Sequence, residues 1–123
     1  QIGYENTMRA AELHALGEDA FKKKNYEIAV AFFKHAGEIN PFELPYRENT
    51  ANAYMQLGSY YQALEILDKL INEEKTTSLK SYWMRGLINY ELGNINEGCA
   101  DLKIVNESGW MENTSIYENL CLN

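Results

Sequence analysis

His14 and Glu18 are the first side chains in this chain whose spacing could do chemistry. They stand four residues apart, which on a helix places them on one face. A metal site would need a second His or Cys at i, i+3 or i+4, and neither His14 nor His35 has one. The pair is therefore read as a solvated ion pair. No Gly-rich phosphate loop and no serine-nucleophile motif occurs, and the carboxylates are scattered as solubility charges are. Neither catalysis nor a cofactor nor a metal is expected.

Cys99 and Cys121 are the other reactive groups, and Ser108-Gly109 lies nearly midway between them. If the flanking segments are antiparallel helices, the two cysteines come close together. A disulfide requires Cα atoms within about 7 Å. Two unpaired, half-buried thiols are the alternative, and both readings stay open. A bridge would imply an oxidising compartment and favour an extracytoplasmic bacterial location over a cytoplasmic one.

Charge and length narrow the function class. The net charge of −7 argues against nucleic acid, because phosphate binding needs clustered Lys and Arg. Lys22-Lys23-Lys24 is the one basic cluster, and at a helix end it complements the dipole. No apolar run is long enough to insert into a membrane. The 123 residues fit one domain. With Gln1 first and no visible signal, the chain reads as an excised domain or mature fragment.

A repeat runs along the chain. Ala29 and Ala63 are 34 residues apart, and Ala63 and Gly98 are 35 apart. Around them recur Leu16-Gly17 with Asn25-Tyr26, Gly58-Ser59-Tyr60, and Gly93-Asn94-Ile95. A fixed period of this length, with helical spacing inside, predicts a solenoid of stacked antiparallel helix pairs. Helices are expected at about 7–23, 26–39, 45–57, 60–73, 79–92, 95–107 and 112–121, seven in all. Thr7, Asn25, Ser59, one of Thr76 to Ser78, and Asn94 are the expected N-caps. Residues 1–6 read as a linker. Repeats fall at about 10–43, 44–78 and 79–109, within one domain over 7–121. Gly17, Ala51 and Gly86 form one set of small residues for helix crossings, and Ala29, Ala63 and Gly98 another. Trp110, Met111, Ile116, Tyr117 and Leu120 supply an apolar stripe for a capping last helix.

On these motifs the chain resembles the tetratricopeptide-repeat family, over about residues 10–121. The best match runs from Leu16-Gly17 through Asn25-Tyr26, Ala29 and Phe33 to Pro41. The resemblance implies an all-α, right-handed superhelix and a concave groove lined by the first helix of each pair. It implies groove positions at His14, Glu18, Phe21 and Lys22, then Glu48, Asn49, Asn52, Met55 and Gln56, then Lys80, Trp83, Met84, Leu87 and Tyr90. Asn49 and Asn52 can bracket a peptide backbone, since an amide donates and accepts. Some members clamp a chaperone's C-terminal carboxylate with Lys, Asn, Asn, Lys and Arg. Here Asn49 and Lys80 match, but His14, Glu18 and Met84 stand at the other positions, and Glu18 would repel a carboxylate. The expected function is a non-enzymatic scaffold that binds a peptide or helix of a partner protein. The alternative is an architectural segment of a longer solenoid or multidomain chain.

Overall fold

Each turn inside a helix pair is built on one residue in the left-handed backbone region. Lys24 (φ +62°), Gly58 (φ +76°) and Gly93 (φ +90°) hold that place in turn. The next residue then closes the helix end through its backbone. Asn25 N–H donates to Ala20 O at 2.9 Å, Ser59 N–H to Tyr54 O at 2.9 Å, and Asn94 N–H to Asn89 O at 2.8 Å. These six-to-one bonds satisfy carbonyls that a helix end leaves orphaned. Asn25 and Asn94 make no side-chain capping bond, contrary to the expectation from residue type. Their work is done by the main chain.

The computed structural model describes residues 3–110 and 115–122. Seven α-helices lie among them: α1 Tyr4–Lys22, α2 Tyr26–Ile39, α3 Leu44–Gln56, α4 Tyr60–Asp68, α5 Leu79–Glu91, α6 Ile95–Ser108 and α7 Ser115–Cys121. α1 begins three residues before the expected start, with Gly3 as its N-cap. The Thr7 hydroxyl donates to Gly3 O at 3.0 Å inside the first turn instead of starting the helix. The fourth helix, expected to reach 73, ends as a π-helical turn at Lys69–Glu73. That wider turn buries the consecutive residues Leu70 and Ile71. Part of the expected start of the last helix, together with Met111, lies outside the described residues.

The chain forms two compact units, Gln1–Ile66 and Leu67–Asn123. In the first, α2 packs on both α1 and α3. Its core joins Ala20, Ala29, Phe33 and Ala53, flanked by Phe21 and Val30. Gly17 is small because Phe33 lies over it: a Cβ there would stand 2.5 Å from the ring. In the second unit α5 packs on α6, and α6 on α7. Here the approach is backbone to backbone. A Cβ on Gly98 would be 2.7 Å from Gly86 O and 2.7 Å from Tyr90 N. Met84, Ile88, Leu102 and Val105 are buried on the two helices. On α7, Ile116, Tyr117 and Leu120 are half-buried rather than buried, and Trp110, expected in the same stripe, is exposed.

Candidate functional site

In the first unit, α1 and α3 present the expected positions. The His14 side chain is only 16 % exposed. Its ring lies 4.7 Å from that of Tyr46 and 5.3 Å from that of Phe33. Asn49 Nδ2 donates to His14 Nε2 at 2.8 Å. An amide nitrogen donates, so Nε2 is the acceptor of this bond and Nδ1 is the other ring nitrogen. That nitrogen faces Glu18 Oε1 at 3.5 Å. A polar chain thus runs from α3 to α1, and Asn49 is engaged by the protein itself. Asn52 Oδ1 accepts from Gln56 Nε2 at 3.3 Å. Glu48, read as a groove residue, is buried. Phe21 is half-buried and meets Tyr26 edge-on at 5.1 Å. Glu18 and Lys22 are exposed, and Met55 is half-buried. Burial, then the Glu43 carboxylate, push the Tyr46 phenol above its usual value.

In the second unit, Lys80, Trp83, Leu87 and Tyr90 recur at i, i+3, i+7 and i+10, one face of α5, and all four are half-buried. Met84 does not join them. Its exposure is 0 %, so it is a core residue, and its reading as a groove residue is corrected. The reason is angular: Met84 falls on the buried stripe with Ser81 and Ile88, adjacent to the half-exposed one. Trp83 Nε1 is buried without a hydrogen-bond partner among the described residues.

One cluster was not anticipated from sequence. Arg85 Nε and Nη2 donate to the two carboxylate oxygens of Asp101 at 2.7 and 3.0 Å. Its Nη1 donates to Asp68 and to Asn72, each at 3.1 Å. The Arg85 side chain is 15 % exposed and that of Asp101 7 %. The Asp101 hydrogen bonds raise the guanidinium further above its already high value. Four donors of the fork are occupied, so the group ties α5 to α6 and to the end of the preceding helix. The only signal in the sequence was an Arg and an Asp whose elements had to pair. Cys99 and Cys121 are bonded as a disulfide, with Cα atoms 5.7 Å apart.

Among the described residues no three His, Cys, Asp or Glu side chains gather to hold a metal ion. Among the same residues no helix is long and apolar enough to cross a membrane. What these faces offer is amides, aromatic edges and a few charges, which is binding chemistry.

No family model matches the chain. It is 34 % identical over 97 residues to serine/threonine-protein phosphatase 5 of Homo sapiens, covering 79 % of this chain and 19 % of that protein. It is 32 % identical over 96 residues to the Hsp70-Hsp90 organising protein of Plasmodium falciparum, covering 78 % of this chain and 33 % of that protein. The chain thus spans a fifth to a third of the length of these relatives. Two solved structures share its fold, both with a TM-score of 0.82. The Arabidopsis OM64 TPR domain is 24 % identical and covers 93 % of this chain and 94 % of that chain. The first TPR of Spaghetti (RPAP3), bound to the HSP90 peptide SRMEEVD, is 21 % identical and covers 94 % and 93 %. Both structural neighbours are TPR domains. With the repeat period, the small-residue crossings and the turns all in place, the chain has the fold of tetratricopeptide-repeat domains.

Proposed function

We propose that this chain is a non-enzymatic protein-interaction scaffold that holds a peptide or helix of a partner protein. The observation that carries the reading is the α5 stripe of Lys80, Trp83, Leu87 and Tyr90, an apolar and aromatic face left half open beside one cation. Trp and Tyr are enriched among the side chains that carry most of the energy of a protein interface. The RPAP3 domain, of the same fold, holds the HSP90 peptide SRMEEVD. The first unit argues for a different ligand here. The Glu18 carboxylate is 55 % exposed, and Asn49 is bonded to His14. A face that carries a carboxylate and has its amide engaged disfavours an acidic tail and suits a neutral or basic segment.

Affinity capture with this chain as bait, read by mass spectrometry, tests the binding reading. Leu87→Ala and Lys80→Glu should each lose proteins that the unaltered chain retains. An unchanged captured set with both variants would remove the α5 face from consideration. Fluorescence anisotropy with labelled SRMEEVD tests the ligand class. Binding should be weak, and Glu18→Asn should strengthen it. The second reading is architectural, a segment of a larger chain. It is compatible with peptide binding and predicts stable association with flanking repeats of its own parent protein.

A further inference from the structure

We propose that the Cys99–Cys121 disulfide is a redox latch that holds α7 against α6 and releases it on reduction, leaving the rest of the second unit folded. α7 has seven residues, well short of the roughly 12–15 a helix needs to persist alone in water. Its apolar side chains Ile116, Tyr117 and Leu120 are only half-buried, so packing alone holds it weakly. The bridge supplies the missing constraint, linking the first turns of α6 to the last residue of α7 across a separation of 22 residues. Closing a loop of that length removes much of the chain entropy that would otherwise favour detachment.

A second observation lies on the same α6 face. Asn106 stands seven residues, two turns, beyond Cys99, and its Oδ1 is buried with no hydrogen-bond partner among the described residues. A buried, unsatisfied acceptor favours any opening that lets water reach it. The rest of the unit does not depend on α7. The Gly86–Gly98 approach and the Arg85–Asp101 fork both join α5 and α6 without it. Both cysteine residues are half-buried rather than enclosed in the core. The chemistry is thiol–disulfide exchange with a dithiol. One reductant thiolate attacks a bridge sulfur, the Cys99–Cys121 bond breaks, and a mixed disulfide forms. The second reductant thiol then displaces it. Two electrons and two protons pass to the protein as two thiols, and the reductant leaves as a disulfide. Oxidation reverses the step and closes the latch.

Hydrogen exchange of the full chain, read by mass spectrometry with and without dithiothreitol, tests this, with iodoacetamide trapping to show that two thiols have formed. Amides of Ser115–Cys121 should exchange at least about tenfold faster after reduction, while those of α5 change less than about twofold. A Cys99→Ser, Cys121→Ser double variant should behave as the reduced protein does without any reductant. Unchanged exchange in α7 after reduction would mean that packing holds the helix, and the latch is refuted. An equal rise across α5, α6 and α7 would mean that the bridge staples the whole unit, which also overturns the proposal.

Discussion

Replacing Gly98 with Ala should destabilise the protein, although alanine is the better helix former. The gain in propensity is about 1 kcal/mol. Against it stands the geometry of the crossing. The new Cβ would lie 2.7 Å from Gly86 O, 2.7 Å from Tyr90 N and 3.1 Å from Tyr90 Cα. All three are backbone atoms of α5, so no side-chain rotation can relieve the contact. Ordinary van der Waals separation requires α5 and α6 to part by most of an ångström. A gap of about 0.5–1 Å forfeits a quarter to a half of each dispersion contact along the seam. Overpacking of this kind costs about 1–3 kcal/mol, and much of that survives the propensity gain. The expected net loss is about 0–2 kcal/mol. Gly37→Ala is the matched control. Its Cβ would meet Arg47 Cγ at 3.6 Å and Tyr46 Cβ at 3.9 Å, which is ordinary contact. The same change on α2 should therefore stabilise by about 0.5–1 kcal/mol. Denaturant unfolding followed by circular dichroism at the helix band, with the disulfide intact, measures both. If Gly98→Ala stabilises as Gly37→Ala does, the backbone contact does not limit the crossing and the reasoning fails.

Asp101→Ala should cost about 2–4 kcal/mol in the same assay, because it removes both arms of a largely buried bidentate pair and leaves Arg85 with only Asp68 and Asn72. A loss below about 0.5 kcal/mol would place the pair with ordinary surface bridges. Ala63→Leu should cost about 1–3 kcal/mol, since Ala63 is fully buried and the extra methylenes have no space; an unchanged melting temperature would show that the small-residue site is roomier than its burial implies. Tyr46 should ionise above the usual 10.0, first through burial and then through Glu43, as read by ultraviolet difference absorbance. Because the folded value is the higher one, this group's contribution to stability is fully present below the unfolded value and is lost as pH rises through the folded one. Glu43→Gln should remove only the smaller part of the shift.

Much of the fold was legible because its signals are local. A 34-residue period, a glycine before a polar residue, and apolar residues at helical spacing specify helices and turns without reference to distant parts of the chain. The left-handed backbone at Gly58 and Gly93 follows from residue type. At Lys24 it does not, since nothing in a lysine announces it. The same backbone motif closes all three turns, and the repeat rather than the residue sets the conformation there. The capping asparagines were misread for a related reason: a polar side chain before a helix is a frequent cap, but here the main chain had already satisfied the helix end.

Residue types and spacing determined by themselves that the chain is all-helical, repeated, acidic and without catalytic motifs. They also determined where small residues must stand. Only the tertiary structure decided which of two adjacent stripes on α5 is core, and so moved Met84 inside while leaving Trp83 half open. It alone buried Asp101, because a carboxylate leaves water only where a partner fork arrives, and Arg85 comes from another helix. It alone engaged Asn49 with His14 and brought Cys99 to Cys121. Each of these depends on the distance and rotation between two elements. Helical periodicity carries phase along one helix and no information about the angle at which a second helix meets it.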